Sequence, residues 1–106
     1  MNLKLGIGVV ALMAVTGMSS AFAQSAGADL YKAKCQMCHG AAGLADSGAG
    51  KAMHVKPVTD PEVKKMTEAE MIAATKNGAG KMQPYKDKFT DAQIKGAVDY
   101  FRTFLK

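Results

Sequence analysis

The 106-residue chain predicts an all-α fold, on three observations. Helix-start signals recur at Asp60-Pro61, at Thr67 and at Thr90. After residue 23 no strand-like alternation of apolar and polar residues appears. The final segment gathers its apolar residues on one helical face. The length suits one small domain.

The first 23 residues stand apart from that fold. Asn2 and Lys4 precede an apolar run from Leu5 to Val15, and Ala21-Phe22-Ala23 supplies a small-x-small cleavage pattern. This layout predicts a signal peptide over 1–23, a mature domain over 24–106, and export to the periplasm. The apolar run is short of the ~20 residues that a bilayer span needs, so no membrane anchor is expected.

Within the mature domain, Ser25 is expected to cap a first helix from about Ala28 to Cys35. Residues 40–51 contain Gly40, Gly43, Gly48 and Gly50 and read as a loop around a large ligand. Asp60, Pro61 and Glu62 form a helix start: a capping carboxylate, a proline at the first position, and an acid near the positive end. Thr67 and Glu70 form a capping box that opens the next helix, which should run to about Asn77, with Gly78 in the left-handed position beyond it. Thr90 and Gln93 repeat the box. The helix they open aligns Ile94, Ala97, Val98, Phe101, Phe104 and Leu105, with Tyr100 widening the face. That stripe is ordinary core and does not by itself identify a cofactor.

Without the leader, only 20 apolar side chains larger than alanine remain, cysteine aside, beside 8 glycines and no tryptophan. A chain of this size is marginally stable without a disulfide, a metal or a partner. Something other than protein is expected to complete the core. The mature charge is a mild +4, with lysines spread along the chain. No nucleic-acid footprint follows from it; a modest preference for acidic partners does.

Cys35-Gln36-Met37-Cys38-His39 is a C-x-x-C-H sequence, the attachment pattern for c-type haem. The spacing lets two thiols reach the two vinyl groups of one porphyrin from the same side, and it holds the next imidazole beneath the ring as an iron ligand. Three other readings compete. A thioredoxin-like couple would need a βαβ frame. A zinc site of Cys35, Cys38, His39 and His54 would need adjacent Cys and His ligands on one tetrahedral ion. A disulfide would close a very short loop and stabilise little.

An electron-transfer haem takes a second axial ligand, for which Met37, Met53, Met66, Met71, Met82 and His54 are the candidates. Met37 lies within the attachment turn, on the proximal side. Met66 sits between two helix starts, and Met71 can serve as core. Met82 stands in a loop, Gly78-Ala79-Gly80-Lys81-Met82-Gln83-Pro84, where no helical stripe explains it. His54 is the rival, through bis-histidine ligation.

These residues resemble those of the small bacterial class I cytochromes c, over essentially all of residues 24–106. The likeness rests on C-x-x-C-H near the mature N-terminus, the Met82 loop, and the amphipathic last helix with Tyr100. Gly27 and Tyr31, eight and four residues before Cys35, fall where that family places a small residue and an aromatic. The resemblance implies about four helices, with crossing terminal helices, around one covalently bound haem c. Cys35 and Cys38 would carry the haem, His39 and Met82 would be the axial iron ligands, and Tyr100 would pack against Gly27. Two departures stand out. Gln83 separates Met82 from Pro84, and residues 40–56 contain no proline, so no carbonyl is identified to accept from the His39 ring.

With both axial positions filled, the expected function is electron transfer between redox donor and acceptor proteins by a monomer that is not an enzyme. Lys51, Lys81, Lys86 and Lys88 would border the exposed haem edge and face acidic docking surfaces. The competing class is a haem enzyme or ligand sensor, peroxidase-like, with an open or bis-His iron. No distal acid–base constellation supports it.

Overall fold

The computed structural model describes residues 25–106; the leader predicted over 1–23 and its junction with Gln24 lie outside the described residues. Five helices follow in order among the described residues. Helix α1 covers 25–39, with a π-helical stretch at Tyr31–Cys35 and a last α turn at Gln36–His39. Then come α2 (Gly48–Ala52), α3 (Pro61–Lys65), α4 (Glu68–Asn77) and α5 (Asp91–Arg102). The sole β feature among them is an isolated bridge between Ala79 and Met82.

The helix starts arise from local chemistry. The Asp60 carboxylate accepts from the Glu62 N–H at 2.8 Å, and Pro61 follows at the first helical position. Thr67 and Thr90 each accept from the N–H three residues on, while Glu70 and Gln93 reach back to the N–H of the capping threonine. Each box satisfies two donors that helix geometry leaves open.

Four details differ from the sequence expectations. Ser25 is itself helical, and α1 continues through the C-x-x-C-H sequence to His39. Residues 40–51 are not all loop: Ser47 caps α2 by accepting from the Gly50 N–H at 3.0 Å. Gly78 ends α4 at φ 83° and ψ 157°, an extended mirror-image conformation rather than the left-handed helical one. Phe104 and Leu105 lie just past the end of α5, in the turn that follows it.

The packing falls into two clusters. Val63, Met71, Ile94 and Val98 join α3, α4 and α5, with Met66, Tyr85, Phe89 and Phe101 packed against them. Arg102 braces this cluster by donating to the Met66 carbonyl at 2.9 Å and to the Met71 sulfur at 3.6 Å. The second cluster is aromatic. Tyr31 is buried among Tyr100, Phe101 and Phe104, at ring-centroid distances of 5.2, 6.1 and 5.6 Å. Helices α1 and α5 meet backbone to backbone at Gly27. A Cβ added there would stand 2.3 Å from the Gly96 carbonyl oxygen, so the glycine's nearest neighbour is Gly96, while Tyr100 packs on Tyr31 instead.

Candidate functional site

The C-x-x-C-H residues occupy the C-terminal end of α1. The widened turn at Tyr31–Cys35 ends on the first of them, Cys35, with the Gln36 N–H bonded to the Tyr31 carbonyl. Gly40 then breaks the helix at φ 85°. Helix α2 lies against this end, and Gly50 permits the approach: a Cβ there would be 2.4 Å from the Cys38 carbonyl oxygen.

Cys35 and Cys38 are free thiols, each partly buried. Burial, with the neighbouring Cys38 adding to it, pushes the Cys35 thiol up to about 11. A redox dithiol needs a depressed thiol pKa, so the shift opposes the thioredoxin-like reading. Cys35 borders an apolar crevice formed with Leu30, Thr75, Tyr85, Phe89, Ile94 and Ala97. Among the described residues, no group of three or more His, Cys, Asp or Glu side chains converges to hold a metal ion.

His39 is half-buried against Phe101, with ring centroids 5.5 Å apart in an edge-on arrangement. Desolvation lowers its pKa below the usual histidine value, which favours the neutral imidazole that can bind iron. Its buried Nδ1 finds no hydrogen-bond partner among the described residues. Two thiols and an adjacent neutral imidazole form a donor set that fits covalent haem.

The axial candidates separate by position. Met71 is buried in the aliphatic cluster, and Met66 packs against it. Met37 is 73% exposed within the C-x-x-C-H turn. Met53 and His54 lie on the surface beyond α2, with His54 in the left-handed region at φ 55°. Met82 is half-buried and closes a tight turn with Ala79, through hydrogen bonds of 2.9 and 3.2 Å in the two directions. Gly80 takes φ 57° inside that turn. Just beyond it, the Tyr85 and Lys86 N–H groups bond the Thr75 and Lys76 carbonyls at the end of α4. The Met82 loop is therefore tethered beside the crevice that Cys35 borders.

Sequence reasoning missed Ser47, Gly50 and Gly96. Ser47 carried a cap signal, but the surrounding glycines masked a helix as short as α2. Gly96 carried a signal too: a glycine inside a helix costs ~1 kcal/mol relative to alanine and usually has a packing reason.

A helical shell with so few large buried side chains, built round two thiols and a neutral imidazole, defines a c-type cytochrome of the small class I kind. Residues 22–101 match the family described as cytochrome c oxidase, cbb3-type, subunit III, and the chain belongs to that family. Among solved structures it is similar to the KustC0563 c-type cytochrome, with 29% identity and a TM-score of 0.68, over 76% of this chain and 98% of that one. No curated protein matches it. The cofactor is thus covalently bound haem c with its iron, the function is electron transport, and the partners are redox proteins. No described helix is long and apolar enough to cross a membrane.

Proposed function

We propose that this protein is a single-haem electron carrier of the periplasm, held by Cys35 and Cys38 and ligated by His39 and Met82. The observation that carries the reading is the half-buried His39 imidazole, packed on Phe101, directly after two free thiols. Bound haem supplies a one-electron iron couple. The chain's own residues hold it, orient it and keep water away. Helix α1 presents both thiols within one turn, and burial keeps His39 neutral. The turn at Ala79–Met82, with Gly80 in a left-handed conformation, lets the backbone lie close to a flat ring. Met82 and His39 would together hold the iron, and a thioether ligand would raise its reduction potential and block added ligands, which suits a carrier better than an enzyme.

The reduced protein should give a low-spin spectrum that carbon monoxide does not change. Met82→Ala should keep the haem attached, admit carbon monoxide to the iron and lower the reduction potential. If His54→Ala has those effects and Met82→Ala has none, bis-histidine ligation is correct.

The same reading takes residues 1–23 as a leader and the carrier as a monomer without an anchor. N-terminal sequencing of the protein from the periplasmic fraction should begin at Gln24. Recovery of a membrane-bound form that starts at Met1 would overturn this assignment.

Around Met82, Lys81 and Lys86 are exposed, and Lys88 sits 5.5 Å from the centre of the Tyr85 ring while bonding Gln83 at 2.9 Å. Positive charge here would steer an acidic partner toward the haem edge, although Asp87 dilutes the field. Replacing Lys81, Lys86 and Lys88 with glutamine should slow electron transfer to the partner by roughly tenfold at low salt. The wild-type rate should fall as salt rises and the variant's rate should change less. Equal slopes would restrict these lysines to solubility.

A further inference from the structure

The last turn of a helix leaves four carbonyls without partners inside the helix. In α1 these are the carbonyls of Gln36, Met37, Cys38 and His39, and hydrogen bonds meet three of them together with the Gly40 carbonyl just beyond the helix. The Gln36 carbonyl accepts from the Gly40 N–H at 2.8 Å, and the His39 carbonyl accepts from the Ala45 N–H at 2.8 Å. The other two contacts come from side chains. The Ser47 hydroxyl donates to the Met37 carbonyl at 2.6 Å, and the Tyr31 hydroxyl donates to the Gly40 carbonyl at 2.6 Å.

Both hydroxyls are held in place by other contacts. Ser47 accepts from the Gly50 N–H while it donates, which fixes its rotor. Tyr31 is buried, its ring wedged between Tyr100 and Phe104. Burial raises its phenol pKa well above the usual value, so it remains a donor at any working pH. His39, by contrast, has no tether of its own: Nδ1 is unpaired among the described residues and the ring leans edge-on against Phe101. A ring without its own hydrogen bond takes its orientation from its neighbour and from the backbone that carries it.

We propose that Tyr31 and Ser47 are positioning residues, whose hydroxyls clamp the carbonyls on either side of Cys38-His39 and so set the orientation of the His39 imidazole. The proposal rests on the haem site described above. The buried Tyr31 bond should have the larger effect, because the Ser47 bond is open to water.

Tyr31→Phe keeps the aromatic packing and removes only the donor; the Gly40 carbonyl still accepts from the Gly43 N–H at 3.3 Å. Ser47→Asp keeps a capping acceptor for α2 and loses the donor, while Ser47→Thr keeps both. The readout is proton NMR of the oxidised protein, where the hyperfine-shifted haem methyl signals report the plane of the axial imidazole. Tyr31→Phe and Ser47→Asp should each redistribute those signals with haem still attached, and Ser47→Thr should restore the wild-type pattern. Asp60→Ala, which removes the cap of α3, controls for simple destabilisation and should lower the melting temperature without moving the signals.

An unchanged methyl pattern in Tyr31→Phe and Ser47→Asp, with only their melting temperatures lowered, would overturn the clamp. If Tyr31→Phe does not accumulate, the Ser47 pair decides alone. Mass mapping of the wild-type tryptic peptide over residues 35–51 separates the two ideas. Absence of haem mass there refutes the site itself, whereas haem present with unmoved signals refutes the positioning role alone.

Discussion

Cys35→Ala combined with Cys38→Ala is expected to abolish covalent haem and leave a chain with little helical circular dichroism. Only Tyr31 and Ile94 are large side chains fully buried in the described domain, and no polar or charged residue is buried with the core. Leu44 and Met53 remain substantially exposed. A domain this small hides only about 60% of the surface its unfolded chain exposes, so the balance against chain entropy is fine. In the proposed site, haem would supply apolar surface beside the crevice of Leu30, Cys35, Thr75, Ile94 and Ala97 that these side chains do not. Both substitutions are conservative in volume, so loss of structure would be traced to lost haem and not to a damaged core. A haem-free double variant with native helicity and a sharp thermal transition would show that the protein part folds without it.

Gly27→Ala is expected to lower the melting temperature by about 8–16 °C. Two effects oppose each other here. Alanine inside a helix is favoured over glycine by ~1 kcal/mol, which would stabilise α1. Against that, its Cβ would lie 2.3 Å from the carbonyl oxygen and 2.6 Å from the carbonyl carbon of Gly96. Those are backbone atoms of α5 and cannot rotate away, so the helices must separate and the aromatic cluster at Tyr31 and Tyr100 must shift with them. Overpacking of this kind costs ~3 kcal/mol where backbone must move, which outweighs the propensity gain. In a domain of this size each kcal/mol moves the midpoint by about 4–8 °C. Gly48→Ala is the matched control, because an added Cβ there meets nothing within 4 Å. Calorimetry should find Gly48→Ala close to wild type. Equal midpoints for the two alanine variants would mean that the α1–α5 contact is looser than these distances require.

Three helix starts were legible in the sequence because their chemistry is local, and so was the C-x-x-C-H sequence on which the proposed attachment rests. A capping side chain bonds a donor two or three residues ahead, so Asp60, Thr67 and Thr90 can be read in isolation. The spacing of Cys35, Cys38 and His39 is likewise local, and it suits the width of one porphyrin in the proposed site. The last helix declared its buried face through periodicity alone, and Ile94, Ala97 and Val98 are indeed buried. Helix α2 was hidden by its glycines, and the extent of α1 was hidden because nothing in Gln36–His39 favours a helix until α2 packs against it.

The sequence by itself determined which residues could attach a haem and where most helices begin. The tertiary structure alone decided what surrounds those residues. Gly27 meets Gly96, Tyr31 reaches the Gly40 carbonyl, and Arg102 reaches the Met66 carbonyl across 36 positions of chain. The His39 ring rests on Phe101 with Nδ1 unpaired among the described residues. Such contacts depend on how two helices approach in space. Many residues jointly set that approach, and no short spacing encodes it.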